Sequence, residues 1–424
     1  MMTHEPAGSP GGSRFAYDPP TIRHGAGAVE HLAHEMEAIG AERAIVVTGR
    51  TVGEREAVID PIRAALGPRL AEVRAETTPK KRLAEVAACA TAAASNGADV
   101  LVAVGGASSL DVARAASAVG SRDLESLREG LRAHGAIAVD DDPLPTIAVP
   151  TTLAGGSLSM LAGVSAAPEG PHGELDGGSV GDPRLMPAAV CYDPELVAMT
   201  PNPILVGSAM NGFSKGLETL YSSAGTPVTD ATASRGLSLL AAELPALGND
   251  DQEPNWDRLL QGVALAQYGT TRADGTTFSV VHALGHALRV HTGVQLGVAH
   301  GAVAEHALAW MFGEIDGRRE LLASALCSGD PADPAAAVVD GVGELRSALG
   351  LPDGLRSVEG VERDVLDAVA RTAAEGFLGS NAPPAPGVDA SEEWEGRIWP
   401  GTPHGPRGLS VSTEALRGIL EAAW

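Results

Sequence analysis

The first third of the chain alternates short apolar runs with Ala-rich stretches of helical period. Ala44–Thr48 (AIVVT) and Val100–Val104 (VLVAV) have the continuous apolar character of strands buried on both faces, and Ile137–Val139 and Thr146–Val149 predict two shorter strands. Arg82–Asn96 reads as an amphipathic helix. Strand–helix alternation with buried strands predicts a parallel α/β sheet. Such sheets bind their ligands beyond the carboxyl ends of the strands.

Beyond about residue 200 the strand signals fade. Pro203–Tyr221, Val228–Leu247, Trp256–Arg272, Thr277–His291, Gly301–Met311 and Val365–Gly376 carry helical periodicity instead. The expected organisation is therefore a flexible arm over residues 1–14, an α/β domain over 15–199 and an all-α domain over 200–424. A cleft between the two halves is the default ligand site. Ser380–Arg407, rich in Pro and Gly and carrying Trp394 and Trp399, reads either as an ordered lid or as a flexible insertion.

Composition narrows the classes. A chain of 424 residues favours two cores over one, and 44% apolar with 20% charged residues excludes global disorder. A formal charge of -24 argues against nucleic acid and anionic membranes as partners. No apolar run approaches the roughly 20 residues of a membrane span. The opening MMTHEPAGSPGGSRF has neither an apolar core nor a basic leader and reads as an arm, not a signal peptide. Cys89, Cys191 and Cys327 are isolated and odd in number, which points to a reducing compartment and against a thiolate metal site. The expected location is the cytoplasm.

Only three of the 30 basic residues are lysines. Lys80 and Lys81 sit together in a polar stretch and read as solvated surface. Lys215 falls inside a motif.

Four segments carry candidate chemistry. Gly105-Gly106-Ala107-Ser108-Ser109-Leu110-Asp111 follows the VLVAV strand and precedes a helix. Small residues there admit a pyrophosphate against free N–H groups at the helix start, with Ser108 or Ser109 as extra donors. A tight capped turn is the alternative. Pro150-Thr151-Thr152-Leu153-Ala154-Gly155-Gly156-Ser157 ends a second strand and suits a contact to phosphate or to the nicotinamide ribose. His282 and His286 share a helical face, with His300-Gly301 downstream. Histidines so spaced either hold a ligand or are satisfied in a core. In MNGFSKGLETLY, Asn211, Lys215 and Glu218 share another helical face, a spacing that surface helices also show.

Taken in order, these motifs resemble the iron-containing alcohol dehydrogenase superfamily over nearly the whole chain. Ile22–Ala28 (IRHGAGA) is similar to that family's opening segment. Gly105–Asp111 resembles its GGGSxxD loop, with Ala107 for the third Gly, and Pro150–Ser157 resembles its PTTxAGxGS-type loop. The HxxxH pair with a downstream His-Gly resembles its helical-domain signature. Pro187–Leu196 (PAAVCYDPEL) and MNGFSKGLETLY are most similar to the maleylacetate reductase branch, which reads MNAxAHxxEALY. The resemblance implies a dehydroquinate synthase-like architecture, a dinucleotide cofactor bound by Gly105, Gly106, Ala107, Ser108, Ser109, Asp111, Thr151, Thr152 and Ser157, and a homodimer.

Two departures matter. Metal-binding members supply an Asp at position 211 and a His at position 215, alongside histidines at 282 and 300; this chain has Asn211 and Lys215. An amide is a poor ligand for a divalent cation and an ammonium repels one, so no metal is expected. Lys215 is the expected replacement, an electrophile facing the substrate oxygen and a candidate acid or base. His286 is the other candidate proton relay, His282 and His300 are expected to bond substrate, and Asn211 to orient substrate or His282. The family's usual Lys before Pro187 is also missing, with a Gly- and Asp-rich Gly170–Leu185 in its place. That alters the cofactor lid or the substrate mouth.

An acidic residue after AIVVT would favour NAD through the ribose diol. The strand instead runs into Gly49-Arg50-Thr51, where Arg50 could meet a 2′-phosphate, so NADP stays open; NAD is the expectation because Arg is the default basic residue of this chain. The leading reading is hydride transfer between NAD(P) and a secondary alcohol or ketone. Alternatives are a peptide-tailoring dehydrogenase of the daptide type that oxidises and decarboxylates a C-terminal threonine, a sugar-phosphate cyclase relative, and a non-catalytic dinucleotide-binding protein. The substrate is thus a small molecule or a peptide.

Overall fold

The structure, a computed structural model, describes residues 15–120, 122–134, 136–165, 177–249, 251–273, 275–378 and 405–424. Six parallel strands form one sheet: β1 (Thr21–His24), β2 (Ala44–Gly49), β3 (Leu70–Thr77), β4 (Val100–Gly105), β5 (Thr146–Pro150) and β8 (Ala189–Tyr192). Their order is β1-β8-β5-β4-β2-β3. The side chains of β4 alternate between two cores: Leu101 and Ala103 face one cluster, Val100, Val102 and Val104 the other. That two-sided burial explains why these strands read as continuous apolar runs.

The helix after β2, Glu56–Leu66, packs on one sheet face through Val58, Ile59 and Ile62. The helix after β4, Ala107–Val119, packs on the opposite face. The connections from β2 and β4 therefore part company at adjacent carboxyl ends, leaving the crevice in which α/β sheets hold ligands.

Three strands escaped the sequence pattern. β1 and β3 are the two edges of the sheet; β1 reads exposed-exposed-intermediate-intermediate, and β3 (LAEVRAET) interleaves charges. β8 is buried but spans only four residues. A two-stranded antiparallel ribbon, β6 (Leu161–Ser165) with β7 (Gly177–Gly181), packs on the Ala107–Val119 helix and was also not foreseen. Conversely, Ile137–Val139 is not a strand. Ala136 makes one isolated bridge to Ser179, and Ile137 is apolar because it plugs the core at 3% exposure.

The second half is helical. The helices Asn202–Tyr221, Pro227–Glu243, Val280–Thr292 and Leu296–Glu314 match the periodic segments within a few residues. The helix expected over Trp256–Arg272 stops at Gln267, where Tyr268 leaves helical geometry and Gly269 turns left-handed (φ 73) into a two-residue ribbon. Ser380–Pro403 lies outside the described residues, as do residues 170–176 of the Gly170–Leu185 segment. Among the described residues no helix is long and apolar enough to cross a membrane.

Candidate active site

Three loops meet at the crevice. Gly105 ends β4 with φ 138, and a Cβ there would stand 2.8 Å from the Ser109 hydroxyl, so only glycine suits the turn. Gly106 is the N-cap of the following helix, whose first turn carries Ala107, Ser108 and Ser109. Thr151 N–H donates to the Gly105 carbonyl at 3.0 Å, and a Cβ on Gly106 would lie 3.0 Å from Thr152. Gly49 and the exposed Arg50 close the crevice at the end of β2. The open N–H groups and dipole of a helix start suit a pyrophosphate at this place.

Three proposed cofactor contacts are occupied otherwise. Ser109 is 4% exposed and bonds the Thr77 hydroxyl at 2.9 Å. Ser157 shares a buried network with the Tyr192 hydroxyl (2.7 Å) and the Gln267 amide (3.1 Å). Asp111 faces Lys81 at 2.5 Å and Arg114 at 3.2 Å. Lys81 is therefore no solvated surface residue: its side chain is 14% exposed. Its neighbour Lys80 is exposed, as the sequence suggested.

Across the crevice stands the helix Asn202–Tyr221, buried on almost every side. Gly212 lets it approach the Thr151–Ser157 loop, since a Cβ there would overlap the Leu153 carbonyl oxygen. That contact carries the Lys215 ammonium to the Gly155 carbonyl, to which it donates. The same ammonium lies 5.4 Å from the centre of the Phe278 ring. Phe278 in turn stacks on His282, with centroids 4.4 Å apart and planes within 5°. His300 sits 4.4 Å from His282 and His286 6.3 Å. Gly285 makes the room for His300, because a Cβ on Gly285 would collide with that imidazole.

Glu218, one turn beyond Lys215, is fully buried and crosses to the start of the His282 helix. It accepts from the His282 backbone N–H at 2.9 Å, from His282 Nδ1, and from the Tyr221 hydroxyl at 3.2 Å. A carboxylate is favoured at a helix N-terminus. Burial nevertheless pushes Glu218 up to about 8, against the pull of the His282, Ser279 and Val281 N–H groups and the Tyr221 hydroxyl. Burial likewise pushes Lys215 down to about 8; Arg114 adds to that, while Asp111 and Glu218 oppose it. His282 and His300 are driven well below the ordinary imidazole range, chiefly by burial and then by neighbouring positive or imidazole groups including Lys215. Both rings are neutral.

Several buried polar atoms here have no partner among the described residues: Asn211 Oδ1, His282 Nε2 and both ring nitrogens of His300. Unmet buried polar atoms are rare and costly in native structures, and a cluster of them marks a place completed by a ligand. The structure thus gathers Asn211, Lys215, His282, His286 and His300 at one end of the crevice, with the Gly105–Ser109 loop at the other. Sequence reasoning missed Phe278, Lys81 and Arg114. It placed Glu218 on the right helical face without seeing its tie to His282.

A model of the iron-containing alcohol dehydrogenase family matches residues 19–194, and a model of the C-terminal part of that family matches residues 205–390. The chain belongs to this family. It is an oxidoreductase of the alcohol dehydrogenase type, with the dehydroquinate synthase-like fold. Among its relatives are a maleylacetate reductase from Sphingobium indicum, 27% identical over 351 residues (81% of this chain, 89% of the relative), and a 4-hydroxybutyrate dehydrogenase from Cupriavidus necator, 30% identical over 356 residues (81% and 88%). The crystal structure of a sulfoacetaldehyde reductase from Bifidobacterium kashiwanohense in complex with NAD+ superposes with a TM-score of 0.76 at 21% identity, covering 97% of this chain and 99% of that one.

Proposed function

We propose that this chain transfers hydride between a nicotinamide dinucleotide and the carbon of a secondary alcohol or ketone, with the Lys215 ammonium serving where relatives of this family use a metal cation. The observation that carries the proposal is a buried ammonium one helical turn from Asn211, whose Oδ1, like His282 Nε2 and both His300 ring nitrogens, is buried with no partner among the described residues.

The atoms converging there do not suit the iron of the family's name. They are two neutral imidazoles, an amide oxygen and an ammonium. Iron and zinc sites use anionic or imidazole ligands, and a protonated amine offers no lone pair and repels a dication.

The reaction then needs two services from the protein. Positive charge must meet the oxygen on which charge develops, and Lys215 supplies it in a site shielded from water. A proton must also leave the alcohol oxygen. His282 Nε2 is a neutral acceptor without a partner, and its Nδ1 faces Glu218. As Nε2 takes the alcohol proton, Nδ1 passes its own to the Glu218 carboxylate, so the imidazole is neutral before and after. Glu218, held near 8, is matched to such exchange close to neutrality. Asn211 and His300 offer the remaining hydrogen bonds to the substrate. NAD is the cofactor this reading expects.

Metal analysis of the purified protein, with hydride transfer measured before and after exhaustive chelation, tests the reading. Full activity in a metal-free sample is the expected result. Activity lost to the chelator and restored by iron or zinc overturns it.

A further inference from the structure

An ordinary ion pair does not account for Lys81. Its backbone is left-handed (φ 49), one of two such non-glycine residues among those described. A side chain bearing a Cβ adopts that conformation at a cost of about 1–2 kcal/mol. The conformation is held by the Lys81 N–H on the Thr78 carbonyl at 3.1 Å and by the Ser165 N–H on the Lys81 carbonyl at 3.0 Å. The result is a long cationic side chain turned inward.

The partner carboxylate is already claimed. Asp111 also binds Arg114, whose guanidinium is buried at 2% exposure and whose two terminal nitrogens also donate to the Leu161 and Gly156 carbonyls at 2.7 and 3.1 Å. One carboxylate thus serves two cations, and the cluster keeps a surplus positive charge inside a chain of net charge -24. The Lys81 ammonium lies over Gly163 of β6, where a Cβ would be 3.6 Å from Nζ, so no side chain of that residue covers it.

On its other side Lys81 reaches the face that carries the chemistry. His286 is pushed well below the ordinary imidazole range first by burial, then by His282, Lys81 and Arg289, with Asp111 opposing, and residues 282, 286 and 289 share one helical face. Arg289 donates to the Pro79 carbonyl at 2.9 Å, two residues before Lys81. Moving outward along that face, the environment changes from neutral and buried at His282 to cationic at Arg289. At 1.5 Å per residue the distance is roughly 10 Å.

We propose that Lys81 anchors an acidic group of the substrate, so that the compound oxidised or reduced carries a carboxylate or a group of like charge a few bonds from the reacting carbon. The inference rests on the hydride-transfer reading above and names its substrate class. In the complex the substrate's acidic oxygens share the ammonium with Asp111, while the hydroxyl or carbonyl lies at Lys215. The dinucleotide's pyrophosphate offers the same oxygen chemistry, and the experiment separates the two sources.

Keto acids of increasing length (pyruvate, 4-oxopentanoate, 5-oxohexanoate) and the methyl ketones with a methyl group in place of the carboxylate (acetone, 2-pentanone, 2-hexanone) are titrated calorimetrically into the NAD+ complex, where no turnover occurs. The wild type is expected to bind at least one keto acid about tenfold or more tighter than its ketone. Lys81→Met should erase that preference and Lys81→Arg retain most of it, with NAD+ affinity alike in all three proteins, which also shows that they fold. Equal binding of acids and ketones, or no binding of either, overturns the proposal. A loss of NAD+ affinity in Lys81→Met as large as the loss for the acid assigns Lys81 to the cofactor and likewise overturns it. Failure of the wild type to bind NAD+ at all would instead sink the hydride-transfer reading.

Discussion

Replacing Lys215 with Met removes the buried charge while keeping most of the side chain's length. Folding holds this ammonium at about 8 instead of its ordinary 10.5, chiefly through burial. At 1.36 kcal/mol per pKa step, the charged form is disfavoured by about 3 kcal/mol in the folded protein. The Met variant forgoes the charge-assisted bond to the Gly155 carbonyl, worth about 1.5–3 kcal/mol. The balance is a stabilisation of about 1 kcal/mol at pH 7, or, for a chain of 424 residues, a Tm higher by about 1 °C. The pH dependence has a definite sign. The folded value lies below the unfolded one, so the penalty is complete below about pH 8, shrinks as pH rises, and vanishes above 10.5. The advantage of Met is therefore largest at pH 7 and smaller at pH 9.5. Turnover should meanwhile fall by about 10²–10⁴, the scale for losing a positioned electrophile or acid. Scanning calorimetry at the two pH values and steady-state kinetics read both effects. A variant less stable than wild type at pH 7, a gap that does not narrow by pH 9.5, or turnover within tenfold of wild type would refute the reasoning.

Glu218→Gln should lower kcat with little change in NAD+ affinity and flatten the pH–rate profile near 8, because the amide takes no proton from His282 Nδ1. Since burial raises Glu218, its contribution to stability is intact below about 4.5 and is lost as pH rises through about 8; melts of wild type and variant should diverge across that window. Gly285→Ala places a Cβ in the His300 ring, and denaturant titration should show a loss of about 1–3 kcal/mol together with loss of turnover. Fluorescence titration should find NADH bound more tightly than NADPH, and Arg50→Ser should weaken NADPH while sparing NADH.

Legibility from sequence followed burial. β2, β4 and β5 are buried on both faces and announced themselves as apolar runs. β1 and β3 are edges with polar positions, so no period betrayed them, and Ile137 imitated a strand by plugging a core. At the site, spacing placed His282 with His286 and Asn211 with Lys215, because neighbours on one helix face are fixed by helical geometry. Spacing said nothing of Phe278 against His282, of Glu218 under the His282 helix, or of Lys81 beside Asp111. Those contacts join segments 4, 64 and 30 residues apart, and only the last two are long-range; the first lay hidden because Phe278 precedes the helix proper.

The bonds across the two halves are unevenly distributed, with a mechanical consequence. The Thr151–Leu158 loop belongs by chain order to the sheet, yet it is fastened to the helical half all along its length: Thr151 to Thr200, Leu153 to Ser208, Gly155 to Lys215, Ser157 and Leu158 to Gln267, and Leu158 to Thr271. On the opposite side, Arg289 meets Pro79 through a single exposed hydrogen bond. One flank therefore behaves as a riveted seam and the other as a clasp. If the halves part to admit a dinucleotide or release a product, they swing about the Lys215 seam and gape at Lys81, so the reacting end keeps its geometry while the mouth opens and shuts.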